Sequence, residues 1–293
     1  MRCIGRCCLR ALFAVWYYAF FLTLTLLAGF LCLFLSLFSR KAARVVTGVV
    51  WASVVFGPAF IGLETRGRDN IPKKGGFVIF VNHRSLLDIP AVAMSTGLPV
   101  TWLAKASLGR IPLFGWCLKR GHMLIEREGG TEAAKKMVAE AEERLNAGEI
   151  ISIFPEGTRN MGDSPLLPFK KGAFILAKHT GAQLLPIATY NTGNLWPKGA
   201  LLPHSGKITV SIGKPMAFGP KDTLNVITQK CQDTLLGLYS AMESDHKALL
   251  GERDAEDTQA KGPGPGTKDG GKGVKEGGVG DAGADNDAGK SQA

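Results

Sequence analysis

One long stretch of the chain carries no charge: between Ala11 and Phe38 there is no Asp, Glu, Lys, Arg or His, and Leu and Phe dominate. As a helix it would be about 42 Å long, enough to cross a hydrocarbon core of about 30 Å with tilt. Arg2, Arg6 and Arg10 precede it, as in a secretory signal, but the run is too long for a signal core and no small-residue cleavage pattern follows, so it is read as retained. Cysteine is sparse and scattered. The six residues, at 3, 7, 8, 32, 117 and 231, have neither metal-ligand spacing nor the density of a stapled secreted scaffold, so free thiols in a reducing compartment are expected. Zinc spacings, a basic helix and an aromatic RNA-binding signature are also missing, which excludes nucleic acid as the partner of a chain of net charge +10. No Gly-x-Ser-x-Gly elbow occurs, so a strained serine nucleophile is not expected.

The charge is unevenly placed. Residues 252–293 hold six basic and nine acidic residues, so the remainder carries +13 against a total of +10. A basic body beside an apolar segment points to anionic lipid and phosphate. A second apolar stretch, Val45 to Leu63, follows Arg40, Lys41 and Arg44 and contains Gly57-Pro58, a helix breaker. Two full spans would strand the basic cluster on the wrong side of the membrane. A single span, or a helical pair embedded in one leaflet with its cations at the headgroups, fits better. Residues 1–63 are therefore expected to form a membrane anchor, with the remainder on the cytoplasmic face, at the inner membrane in a bacterium.

From residue 64 the pattern alternates. Strands are expected at 77–81, 101–104, 122–125, 150–154, 184–189 and 208–212, and helices at about 85–95, 131–147, 170–180 and 223–250. The alternation predicts an α/β domain over 64–250, with a single mixed or largely parallel sheet covered by helices. Beyond Gly251 the composition collapses to Gly, Asp, Lys, Ala and Pro. Such a tail, 251–293, cannot bury enough apolar surface to offset its ordering entropy and is expected to be disordered.

The chemistry is expected at the end of the first strand of this domain, in Asn82-His83-Arg84-Ser85-Leu86-Leu87-Asp88. A spacing of five does not stack two side chains on one helix face. Across a strand-to-helix turn, however, Asp88 can accept from His83 Nδ1 and leave Nε2 free to take a proton. Ser85 suits the cap of the helix that follows. One His-x4-Asp arises by chance in about a quarter of chains with this composition, so a second stretch decides. It is Phe154-Pro155-Glu156-Gly157-Thr158-Arg159, at the end of another apolar run.

With these residues the chain resembles the glycerolipid acyltransferases, most closely the 1-acylglycerol-3-phosphate acyltransferases. The resemblance covers roughly residues 75 to 215 in four blocks: Asn82-His83 with Asp88, Gly121 to Arg127, Phe154 to Arg159, and Leu184-Leu185-Pro186-Ile187. Leu124 stands where the family usually has Phe. The resemblance implies transfer of an acyl chain from acyl-CoA or acyl-carrier protein, as co-substrate, to the sn-2 hydroxyl of lysophosphatidic acid, with membrane lipid as the surroundings. No cofactor and no metal are expected. His83 would be the base and Asp88 its orienter, with a backbone N–H or the Asn82 amide assisting the oxyanion. Arg159 and Lys105, at strand ends, and Arg127 would hold phosphate. Gly157 and Thr158 offer backbone donors in the same turn. Glu156 either meets the glycerol hydroxyls or organises the turn. Another acceptor, such as glycerol 3-phosphate, another lysophospholipid or a lyso-aminolipid, fits the same motifs, and a lipid-binding module that has lost the reaction is the reading from a different class.

Overall fold

The computed structural model describes residues 2–126, 130–219 and 221–260. Seven strands form one sheet in the order β1-β7-β6-β2-β5-β3-β4. They are β1 (Ile61–Arg66), β2 (Phe77–Val81), β3 (Val100–Lys105), β4 (Met123–Ile125), β5 (Ile150–Ile153), β6 (Gln183–Tyr190) and β7 (Gly206–Ile212). Every pairing is parallel except β6 with β7. The central strand β2 is buried at all five positions of Phe77-Val78-Ile79-Phe80-Val81, as a strand covered on both faces must be. Pro186 sits inside β6 without breaking it. Its carbonyl accepts from Gly213 N at 2.9 Å, so its missing N–H falls on the β7 side, beyond the last β7 pairing at Ile187↔Ile212.

Nine helices are described: α1 (Arg2–Ser36), α2 (Arg40–Val45), α3 (Trp51–Phe56), α4 (Asp88–Thr96), α5 (Phe114–Gly121), α6 (Gly130–Asn146), α7 (Ile175–Thr180), α8 (Thr192–Leu195) and α9 (Leu224–Ala260). Two apolar clusters lie against the sheet: Leu87 with Ala91 and Val92 of α4 against Phe77, Ile79 and Val81, and Ile227, Cys231, Leu235 and Tyr239 of α9 with Val78 and Phe80. Met1–Ala248 is one compact unit, and Leu249–Ala293 is a second.

Several local expectations change. Helix α4 begins at Asp88 with Leu87 before it; the Ser85 hydroxyl accepts from Leu87 N at 3.3 Å in the turn ahead of the helix and donates to Trp196 O at 2.8 Å. Residues 171–174 form a 3-10 turn ahead of α7, where one helix over 170–180 is expected. Residues 61–63 of the expected anchor belong to β1, since the chain turns at Gly57-Pro58 and then pairs with β7. The helix expected to stop at residue 250 runs to Ala260. Glu252, Arg253, Ala255, Glu256, Gln259 and Ala260 are good helix formers, and the first proline comes later, at Pro263. Residues 261–293 of the expected tail lie outside the described residues.

The second apolar stretch is largely buried. A π-helical turn, Val46–Val50, joins α2 to α3, and Ala43, Val46, Ala52, Val54, Val55 and Phe56 are covered. Helix α1 is long and apolar enough to cross a membrane over Ala11–Ser36. Arg44, of the basic cluster, is engaged by the folded domain. It is 5 % exposed and donates to Glu149 Oε1 at 2.9 Å. Glu149 Oε2 accepts from Arg144 and Thr101, both at 3.1 Å, and these partners hold its carboxyl below the ordinary range against the cost of burial. Arg40 and Lys41 remain exposed.

His122 lies beside this network. Its Nδ1 accepts from Trp102 N at 3.2 Å, so the neutral ring carries its proton on Nε2, 3.0 Å from Thr47 Oγ1. Burial, then Arg44 and Arg144, lower its pKa from 6.5 to about 3. The unfolded imidazole binds a proton near 6.5 and the folded one near 3, so stability should fall as pH drops through that window. The slope should reach at most about 1.4 kcal/mol per pH unit. Thermal unfolding of detergent-solubilised protein between pH 7 and pH 4.5 should reveal this slope, and the His122→Gln variant should lose it.

Candidate active site

The strand β2 delivers the site. Just past it, the Asn82 amide donates to Thr189 O at 2.9 Å and accepts from Thr189 N at 2.8 Å. The side chain thus extends the β2–β6 ladder by one rung, and it is fully buried. This removes Asn82 from any oxyanion role: both ends of its amide are committed to the scaffold.

His83 follows, and its Nδ1 lies 2.9 Å from Asp88 Oδ2. The same oxygen accepts from Arg84 N and Ser85 N, each at 2.8 Å, and Oδ1 accepts from Thr189 Oγ1 at 2.8 Å. Because Asp88 only accepts here, Nδ1 carries the ring proton, and the neutral imidazole has its lone pair on Nε2. Nε2 has no hydrogen-bond partner among the described residues. The ring lies on Phe154, with centroids 4.0 Å apart and planes at 21°, and Phe154 stacks in turn on Trp102 at 5.8 Å. The His83 side chain keeps 16 % of its surface exposed while Asp88 has none. This is the arrangement of an oriented base whose working nitrogen faces outward.

The second motif grips the first from behind. Glu156 Oε1 accepts from His83 N at 2.7 Å, and Oε2 accepts from Leu167 N at 2.8 Å. At 2 % exposure Glu156 faces the scaffold; of its two expected roles the geometry supports organising the turn, because both oxygens are taken by backbone donors. Burial pushes its carboxyl above the ordinary value, with those two N–H groups opposing the shift. Asn160 N donates to His83 O at 2.7 Å. The Arg84 guanidinium donates to Gly162 O and Ser164 O, both at 2.9 Å, and so straps the following loop to the His83 turn.

The parallel sheet brings these motifs to one edge. Strands β2, β5, β3 and β4 are neighbours running the same way, so their carboxyl ends carry His83, the Glu156 turn, Lys105 and Glu126 along a single rim, the usual place for a site on such a sheet. Lys105 is exposed at the end of β3, and Arg159 is half-buried; neither makes an ion pair or side-chain hydrogen bond among the described residues. Thr158 is exposed beside it. Arg127 lies outside the described residues.

Gly157 has a left-handed backbone, with φ at 71°, and a Cβ there would sit 2.8 Å from Lys170 Nζ. The Lys170 stem therefore crosses the turn where a side chain would stand, while its own N–H donates to Pro155 O at 2.9 Å. Lys170 is a rim cation that sequence reasoning missed. Lys170 and Lys171 read as the basic start of the helix expected over 170–180, and no local pattern says that this stretch folds back over Gly157. Thr189, which anchors Asp88 from β6, was missed for the same reason.

Comparison with known proteins fits this geometry. A family model described as Acyltransferase matches residues 62–190, the segment from β1 through β6 that holds His83, Asp88 and the Glu156 turn. Residues 62–190 are thus similar to the acyltransferase family. It is 33 % identical over 178 residues to a chloroplastic 1-acyl-sn-glycerol-3-phosphate acyltransferase of Brassica napus, covering 60 % of this chain and 50 % of that one. With the 1-acyl-sn-glycerol-3-phosphate acyltransferase of Pseudomonas aeruginosa it shares 34 % identity over 170 residues, 57 % of this chain and 63 % of the relative. The match thus spans about half to two thirds of these relatives' length. The crystal structure of the 1-acyl-sn-glycerophosphate acyltransferase PlsC from Thermotoga maritima superposes with a TM-score of 0.66 at 26 % identity, covering 83 % of this chain and 98 % of that one.

The placement of Glu156 is testable. A carboxamide in its place can accept only one of the two N–H bonds and presents its own N–H to the other donor. Glu156→Gln should lower kcat at least tenfold and destabilise the fold by about 2 kcal/mol, with the acceptor KM unchanged. A rise in acceptor KM alone would return Glu156 to the substrate.

Proposed function

We propose that this chain transfers an acyl group from acyl-CoA or acyl-carrier protein to the sn-2 hydroxyl of lysophosphatidic acid, giving phosphatidic acid. The observation that carries the reading is the His83–Asp88 pair, its Nε2 unengaged among the described residues, on the same sheet rim as the cations Lys105, Arg159 and Lys170. The relatives' names support the acceptor, because each is a 1-acylglycerol-phosphate acyltransferase.

In this mechanism Nε2 takes the proton of the acceptor hydroxyl as its oxygen attacks the thioester carbonyl. The tetrahedral intermediate then collapses with loss of the C–S bond, and the imidazolium returns the proton to the departing thiolate. Asp88 holds the tautomer throughout and stabilises the imidazolium. Direct attack is preferred to an acyl-serine, since the Ser85 hydroxyl is 1 % exposed and donates away from the site, to Trp196 O. The rim cations meet the acceptor's phosphate, Arg159 with a planar fork and the two lysines as point charges. In this reading helix α1 holds the chain at a membrane, the sheet lies on the cytoplasmic side, and the acceptor is drawn from the bilayer.

His83→Ala should reduce kcat by at least about a hundredfold, the lower bound for loss of a general base, and free thiol release from acyl-CoA by the wild type should require the lysolipid. Arg159→Ala, Lys105→Ala and Lys170→Ala each remove a charged contact of about 1.5 to 3 kcal/mol. The acceptor KM should rise roughly ten- to a hundredfold in each, with the donor KM unchanged. Steady-state kinetics with each substrate varied in turn checks this, and a rise in donor KM instead would move the cations to the phosphates of the acyl carrier. A panel of glycerol 3-phosphate, lysophosphatidic acid and other lysolipids tests the acceptor.

A further inference from the structure

Helices α1 and α5 touch at Gly29. A Cβ there would lie 2.9 Å from the Leu113 side chain, and Cys117 Sγ donates to Gly29 O at 3.5 Å. One to two turns further along α1, the space between the two helices is an open groove of about 550 Å³, within the range of small-molecule and lipid sites. Phe30, Phe34 and Leu37 form one wall and Trp116 the other, and Lys119 and Arg120 line it beside Trp116. Both cations are exposed, neither has a carboxylate partner among the described residues, and no acidic residue lines the groove. Their position in the last turn of α5 complements the helix dipole, but that accounts for their sign and not for the apolar cleft beside them.

The groove also opens on the face of α1 that carries Leu26, Leu27, Phe30, Leu31 and Phe34, all exposed. Water is a poor neighbour for such a surface, and a bilayer covers it. An occupant must then be long and apolar at one end and anionic at the other. We propose that the groove binds one anionic diacyl phospholipid, an acyl chain lying along Phe34, Leu37 and Trp116 and the phosphate resting between Lys119 and Arg120. Lys119 and Arg120 precede β4, whereas the catalytic groups follow the strands; the Lys119 stem packs beside Gly109 in the turn after β3, so competition by lysophosphatidic acid is the test of whether the groove is separate from the acceptor site. The inference rests on the membrane placement of α1 and not on the acyl-transfer step.

Trp116 reports on its own groove. Full-length protein in detergent micelles is titrated with phosphatidylglycerol or phosphatidylcholine brominated on the acyl chains, and Trp116→Phe isolates the Trp116 share of the fluorescence. The phosphatidylglycerol should quench that share at a lipid fraction roughly ten- to thirtyfold below the phosphatidylcholine, as expected for two interfacial cations. In Lys119→Gln/Arg120→Gln the two lipids should quench alike, and the acyltransferase rate with a water-soluble short-chain acceptor should persist, showing an intact fold. Equal quenching by both lipids in the wild type overturns the proposal, as does a preference that survives the double substitution. Displacement of phosphatidylglycerol by equimolar lysophosphatidic acid would also overturn it, since the groove would then belong to the acceptor.

Discussion

A single buried anion closes the site. Asp88 gathers His83, Arg84 and Ser85 on one oxygen and reaches β6 through Thr189 on the other, so the end of β2, the start of α4 and the adjacent strand meet at one carboxylate. In a low-dielectric interior each of these bonds is stronger than in water, and each orphaned donor would be costlier. The orientation of His83 is therefore not a local choice of rotamer. It is fixed by the same contacts that begin α4 and register the loop, and the ring has Phe154 beneath it to remove the remaining freedom.

Glu156 repeats the device on the other side of the imidazole, with His83 N on one oxygen and Leu167 N on the other. Two carboxylates thus serve the scaffold, and their negative charge is spent on donors behind the ring. Lys105 and Arg159 on the rim make no ion pair or side-chain hydrogen bond among the described residues. The charges that orient His83 are thus separate from the rim cations, which the proposed function assigns to an anion, so the two do not compete.

Much of this was legible in the chain. The five-residue spacing of His83 and Asp88 demanded a turn, and the apolar runs before His83 and Glu156 placed both at strand ends; the parallel pairing of β2 and β5 then put them side by side. What escaped was carried by distant partners. Thr189 is 101 residues from Asp88, and Glu149 is 105 residues from Arg44, so neither bond leaves a periodic trace. Strand β1 was hidden because its first residues continue an apolar stretch. Ser85 accepts from Leu87 N at the start of α4 as its type suggests, while the bond it donates to Trp196 O is a tertiary one with no local trace.

The ties between Arg44 and Glu149 and between Thr47 and His122 lie between the second apolar segment and the strands, and the buried cluster of Ala28, Cys32, Ala43 and Cys117 joins that segment to α1 and α5. The hydrophobic helix is consequently no tether. With α1 in a bilayer, as the proposed function has it, its tilt and the attitude of the sheet are one mechanical variable, so the height of His83 above the lipid surface is set when the chain folds. On that reading a lysolipid meeting this rim rises by a fixed distance, and bilayer thickness becomes a parameter of the reaction.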